Sequence, residues 1–140
     1  MPSASEGAKG NMKELILFRG LPGAGKSTLA NALCDVCLSA DDFFTDSEGA
    51  YHYDKAQIKS AHEDCLSRTA AAMKGGAERI GVANTFTEAW EMAPYYKAAD
   101  SAGYRIHAVI VEHRGHDRMS IHAASFDVIN KMEERFQITL

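Results

Sequence analysis

The stretch Glu14-Leu15-Ile16-Leu17-Phe18-Arg19-Gly20-Leu21-Pro22-Gly23-Ala24-Gly25-Lys26-Ser27-Thr28 decides the fold. Glu14 to Arg19 is a short, mostly apolar run of β character. Gly20 to Ser27 matches the phosphate-binding pattern G-x-x-x-x-G-K-[ST] in full, and Gly25 to Leu33 has helix-forming composition. Strand, glycine loop and helix in that order are the context the motif requires. Glycines let backbone N–H groups turn inward around phosphate oxygens, and the following helix aims its positive end at them. Lys26 supplies a flexible charge for the β- and γ-phosphates, and the Ser27 hydroxyl is the expected Mg²⁺ ligand. The expected ATP-binding set is Gly20, Pro22, Gly23, Ala24, Gly25, Lys26, Ser27 and Thr28.

Outward from this stretch, strands and helices alternate. Val36–Ala40 reads as a second short strand ending at Asp41 and Asp42. Asp54 and Gln57 have capping-box spacing at the head of a helix that runs to about Met73 and stops at Gly75-Gly76. Arg79–Asn84 is a third strand. Pro94 suits the first turn of a helix that ends before Gly103. Tyr104–Val111 is the strongest strand in the chain. Ser125 caps a last helix in which Phe126, Ile129, Met132 and Phe136 recur at three to four residues. The alternation predicts an α/β fold, a parallel sheet with helices on both faces.

At 140 residues the chain has room for one domain. Hydrophobic residues at 46% and charged residues at 24% are ordinary globular values. A net charge of −4 argues against a protein that coats nucleic acid non-specifically. No apolar run is long enough to span a bilayer. Met1 to Met12 reads as a disordered leader without an apolar core of a signal peptide, leaving 13–140 as the domain. Three cysteines are too few, and odd in number, for a disulfide framework, which points to a reduced, cytoplasmic protein. Cys34-Asp35-Val36-Cys37 has no second pair to complete a zinc site and falls at a helix end, so both cysteines read as packing residues.

Asp41-Asp42 closes the second strand. Ligands of parallel sheets sit beyond the carboxyl ends of the strands, so these carboxylates should face the phosphate loop. A carboxylate there can take the proton from an attacking hydroxyl, and its neighbour, Asp42, can help hold Mg²⁺ through water. Phe43-Phe44 suits an apolar wall of an acceptor pocket. His62 either lines that pocket or packs within its helix. Trp90 and Tyr95 either stack on a base or, as favoured here, pack where their helix meets the sheet. His113, His116 and His122 lack regular spacing and read as solvated.

Several blocks then stand in a telling order: Arg19 to Ala30, Ser39-Ala40-Asp41-Asp42-Phe43-Phe44, Gly49-Ala50-Tyr51-His52-Tyr53-Asp54, Ala61-His62-Glu63, Asn84-Thr85, and Ala89-Trp90-Glu91-Met92-Ala93-Pro94-Tyr95. Together they resemble the polynucleotide-kinase-like P-loop kinases, a group that includes small ATP-binding, zeta-toxin and AAA_33-like proteins. The resemblance runs from Leu15 to Phe136. It implies a P-loop fold of the kinase type, with four parallel strands in the order 2-3-1-4 and a short lid before the last helix. It also implies Asp41 as general base and an arginine on the lid.

Two departures from the family pattern stand out. Where the family often reads Val-Asp-Asn-Thr-Asn, this chain has Val82-Ala83-Asn84-Thr85-Phe86. The lid block Arg-Asn-x-His-Gly-Val aligns with Met119 to Ala124, which leaves Arg118 one place early, Arg114 as the second candidate and His122 in register. Three functions follow as expectations. The first is an ATP- and Mg²⁺-dependent kinase acting on a polynucleotide 5′-hydroxyl, with Lys26, Asp41 and Arg118 as catalytic residues. The others are a small-molecule (nucleoside or nucleotide) kinase and a non-catalytic ATP-binding module.

Overall fold

The computed structural model describes residues 12–113 and 126–138. Its elements are β1 (Glu14–Arg19), α1 (Lys26–Leu33), β2 (Val36–Leu38), a 3-10 turn (Ala40–Phe44), a second 3-10 turn (Lys55–Gln57), α2 (Ile58–Lys74), β3 (Arg79–Asn84), α3 (Ala89–Ala102), β4 (Arg105–Ile110) and α4 (Phe126–Arg135). The strands form one four-stranded sheet in the order β2-β3-β1-β4, and every pairing is parallel. The expected order 2-3-1-4 is the order found.

Alternation along β1 divides the core in two. Leu15 and Leu17 point to one face and pack with Ile80 and Val82 against Ala61, Cys65 and Met73 of α2 and Met92, Tyr95 and Ala99 of α3. Phe18 points to the other face and meets Ala83 and Ala30 of α1, with Cys34, Cys37 and Val111 at the margin. Burying such side chains contributes roughly 1.5–3 kcal/mol each, so the two-sided pattern of β1 and β3 holds them at the centre of the sheet.

Several local expectations shift. β2 ends at Leu38, because Ser39 caps the following turn: its Oγ accepts the Asp41 N–H and the Asp42 carboxylate accepts the Ser39 N–H. Asp54 caps the short 3-10 turn by accepting the Ala56 N–H at 3.0 Å, so α2 begins only at Ile58. Pro94 lies inside α3, beyond its first turn, because Glu88 and Glu91 form a capping box that starts the helix at Ala89. The strand expected over Tyr104–Val111 is β4, an edge strand whose Val109 and Ile110 are partly exposed. Trp90, expected to pack, is 70% exposed, whereas Tyr95 is buried against Phe86. Ser125 and the lid positions Arg114, Arg118 and His122 lie outside the described residues.

Candidate active site

Because the sheet is parallel, all four strands deliver their carboxyl ends to one edge, and the loops that follow β1, β2 and β3 meet there. Gly20 starts the first loop, and its N–H donates to the Thr85 carbonyl at 3.2 Å. A Cβ at Gly20 would stand 2.6 Å from the Val111 carbonyl oxygen, so the close approach of the β4 exit requires glycine. Gly23 and Gly25 have φ of 83° and 95°, the left-handed region that favours glycine. Gly25 caps α1 without a side-chain bond, and the first turn carries no acidic residue. The leading N–H groups of α1 therefore keep the polarity that suits an anion.

Lys26 Nζ donates to the Leu21 carbonyl at 3.0 Å, folding the lysine back over its own loop. Burial pulls its pKa down to about 8, and the nearby Asp41 carboxylate acts in the opposite sense. Lysine and aspartate thus share one electrostatic environment, although fifteen positions separate them in the chain. Ser27 and Thr28 are exposed at the start of α1, and Pro22 and Ala24 are half-buried in the loop.

Asp41 is set by three elements. Tyr51 donates its hydroxyl to Asp41 Oδ1 at 3.0 Å. Asn84, buried at the end of β3, accepts the Ala40 N–H at 2.9 Å and the Ser39 hydroxyl at 3.4 Å through Oδ1. From α2, Arg68 donates to the Ser39 carbonyl at 3.0 Å and to Asp42 Oδ2 at 3.2 Å, and pairs with Asp64 at 2.7 Å. Arg68 and the Ser39 N–H hold the same oxygen of Asp42, Oδ2.

The other candidates separate. Phe44 is buried, edge-on to Phe43 and Tyr51 and tilted against Tyr53, so it shapes the wall beside the turn from within. His62 is exposed on α2. Ala83, at the place of the family's aspartate, packs in the small apolar cluster with Phe18 and Ala30, on the α1 side of the sheet. Cys34 and Cys37 are half-buried, and desolvation raises both thiols, Cys34 to about 11. Those are the marks of packing residues, not reactive thiolates.

Sequence reasoning passed over four side chains as site residues: Tyr51, Arg68, Asn84 and Arg19. Arg19 is 2% exposed at the end of β1. It donates to the Phe86 carbonyl at 3.0 Å and to the Gln137 carbonyl, and lies 4.7 Å from the centre of the Phe136 ring. An arginine closing a mostly apolar central strand was the available signal. Phe86, whose carbonyl it holds, is buried with φ of 44°, a backbone conformation that bulky residues rarely adopt.

The donors near Lys26 and Asp41 are hard oxygens: the Ser27 hydroxyl and the aspartate carboxylates. Among the described residues no three His, Cys, Asp or Glu side chains cluster into a cage. A sparse oxygen set suits Mg²⁺ that arrives with nucleotide phosphates and keeps much of its water.

The AAA domain family AAA_33 matches residues 15–137 of this chain. The chain belongs to that family. It is 34% identical over 139 residues to NEDD4-binding protein 2 of Homo sapiens, an alignment that takes in 88% of this chain and 8% of that protein. Among solved structures, a putative kinase from Chloroflexus aurantiacus superposes with a TM-score of 0.56 at 19% identity, covering 72% of this chain and 60% of the other. A chain of the Pnkp1/Rnl/Hen1 complex gives 0.59 at 16% identity, over 93% and 41%. A gluconokinase from Sinorhizobium meliloti gives 0.56 at 15% identity, over 91% and 76%. These likenesses establish a kinase-like P-loop fold. Among the described residues, no helix is long and apolar enough to cross a membrane.

Proposed function

We propose that this AAA_33 domain is an ATP-dependent phosphotransferase that moves the γ-phosphate to a hydroxyl, with the 5′-hydroxyl of a nucleic acid end as acceptor. The observation that carries the reading is the Asp41 carboxylate, held by Tyr51 at 3.0 Å on the sheet edge that also launches the phosphate loop. A module that only held nucleotide has no use for a carboxylate kept there by Tyr51, Asn84 and Arg68.

In this reading the loop N–H groups and Lys26 hold the β- and γ-phosphates, and Ser27 would ligate Mg²⁺, with Asp42 on its water shell. Bound there, the ion would supply neutralisation of the charge that develops on the phosphoryl oxygens. Asp41 accepts the acceptor hydroxyl's proton as its oxygen meets phosphorus, and the electron pair of the broken bond leaves on ADP. Arg118, with Arg114 as runner-up, supplies the lid's charge to the same oxygens, and His122 is a further candidate of the lid. An arginine in that role is worth ~10³–10⁵ in rate.

The resemblance of the sequence blocks to polynucleotide-kinase-like P-loop kinases supports the polynucleotide acceptor. The acidic surroundings of the acceptor side (Asp42, Asp46 and Asp54) and a net charge of −4 favour the second reading, a small-molecule kinase. Ala83 favours the third, a non-catalytic ATP-binding module. Transfer of labelled γ-phosphate to a 5′-hydroxyl oligonucleotide, a nucleoside panel and water separates the three. Label on the oligonucleotide is expected; binding of ATP with no transfer to any hydroxyl overturns the proposal.

A further inference from the structure

The turn after Asp41 leads directly into an aromatic lobe that proton transfer alone does not require. Phe44 forms its buried centre, with Phe43 5.5 Å, Tyr51 6.1 Å and Tyr53 5.3 Å away between ring centres. Tyr51 and Tyr53 are stacked, with their planes 20° apart. The lobe is preorganised by backbone bonds. An antiparallel bridge joins Thr45 to Tyr51, and the His52 N–H donates to the Phe44 carbonyl at 2.7 Å. Asp46 ties the intervening loop by accepting the Glu48 and Ala50 N–H groups and pairing with His52 at 2.8 Å.

Two rings of this rigid lobe are left in solvent: Tyr53 is 56% exposed and Phe43 38%. Both line a cleft of about 460 Å³ together with Phe44, Asp46, His52 and Asp54, a size ordinary for small-ligand sites. Among the described residues, no lysine or arginine lines it. A phosphate entering the cleft would meet the carboxylates of Asp46 and Asp54, with His52 already paired to Asp46, so charge disfavours that occupant. Exposed aromatic faces held in fixed positions suit a planar ring, and the carboxylates at the rim suit the amino groups on its edge.

The link to the chemistry is Tyr51. One end of that side chain bonds Asp41, and its ring stacks on Tyr53. A molecule that offers a hydroxyl to Asp41 therefore has aromatic surface beside it for its other end. We infer that the cleft is a nucleobase platform: the acceptor is recognised by stacking of its base on Tyr53 and Phe43, not by a grip on an acceptor phosphate. This inference rests on the phosphotransferase reading for the role of Asp41, and it extends that reading to the class of acceptor. The shared chemistry is a nucleoside, whether free or at the end of a strand.

The test is equilibrium binding, which needs no turnover. Calorimetry on the protein saturated with a non-hydrolysable ATP analogue uses three probes: adenosine, a 5′-hydroxyl tetradeoxyadenylate, and the same tetramer with an abasic 5′ residue. Stacking of a base on an aromatic ring supports an expected loss of at least about tenfold in affinity for the abasic tetramer. Tyr53→Leu keeps apolar bulk without a π face, and is expected to weaken both base-bearing probes by a similar factor while sparing the abasic one. Tyr53→Phe is expected to restore them. Tighter binding of the tetramer than of adenosine supports the platform at a strand end, and equal binding supports it for a free nucleoside. Equal affinity for base-bearing and abasic probes, no binding of any probe, or indifference to Tyr53→Leu overturns the platform. A protein that binds the probes as expected but transfers no phosphate retains the platform and loses the phosphotransferase reading. One that phosphorylates hydroxyls without regard to the base does the reverse.

Discussion

Asn84 Oδ1 accepts the Ala40 N–H at 2.9 Å, and that bond ties the end of β3 to the turn that presents Asp41. Asn84 stands opposite Arg19 in the parallel register of β1 and β3, so the same pair of strand ends that launches the phosphate loop also anchors the aspartate. The separation between Lys26 and Asp41 is therefore set by sheet geometry, not by the flexible chain between them.

Replacing Asn84 by Ala strands the Ala40 N–H in a nearly buried position. An unmet buried donor costs ~1–3 kcal/mol, so a urea melt should show a loss of that size. Phosphate transfer should fall while ADP affinity, measured by calorimetry, stays within a few-fold. Unchanged stability and transfer together would remove Asn84 from the site.

Asp41→Asn keeps the shape of the side chain and its contact with Tyr51 but cannot take a proton. If Asp41 is the base, transfer should drop by ~10²–10⁴ with ATP affinity nearly intact. A wild-type rate in this variant refutes the assignment.

Lys26 carries the pH dependence. Its pKa in the folded chain is about 8, below the 10.5 of an unperturbed lysine. The unfolded chain thus binds more protons between those values, and the stability of the nucleotide-free protein gains as pH rises from about 8 to 10.5. Lys26→Met should stabilise the nucleotide-free protein at pH 7, and the gap should close above pH 10.5. ATP affinity should move the opposite way, falling above about pH 8 as the cation is lost, and should be weak at every pH in Lys26→Met. Thermal melts and calorimetry across that range check both signs.

Gly20→Ala would drive a methyl group into the Val111 carbonyl, 2.6 Å away. Overpacking of this kind costs ~1–3 kcal/mol. Because the contact is with backbone, relief must come from the loop itself, and loss of ATP affinity should accompany the loss of stability in a melt.

Arg118→Ala should lower the transfer rate at least tenfold more than Arg114→Ala, with little change in melting temperature for either, as expected of a charge that acts only on the developing phosphoryl oxygens. Equal, small effects in the transfer assay would take the lid arginine out of the mechanism and raise the non-catalytic module above the kinase.

The fold was legible in the residues because its determinants are local. The apolar run from Leu15 to Phe18, the glycines at 20, 23 and 25, and the strand at Arg79–Asn84 declare themselves through periodicity and backbone freedom, and each formed where it was read. The phosphate loop was legible for the same reason: all of its parts are consecutive. What surrounds Asp41 was not. Tyr51, Arg68 and Asn84 reach it from a loop, a helix and a strand end whose proximity comes from parallel pairing and from α2 packing on the sheet. No spacing rule encodes such contacts. Helix starts were misplaced where side-chain caps competed, as at Glu88 and Glu91 ahead of Pro94. Trp90 was expected to pack where its helix meets the sheet, and its position on α3 leaves it 70% exposed. Sequence alone determined the strand-loop-helix that can cradle phosphate, since backbone conformation is a property of neighbours. Tertiary structure alone decided which distant side chains stand around its carboxylate, since burial and register bring them there.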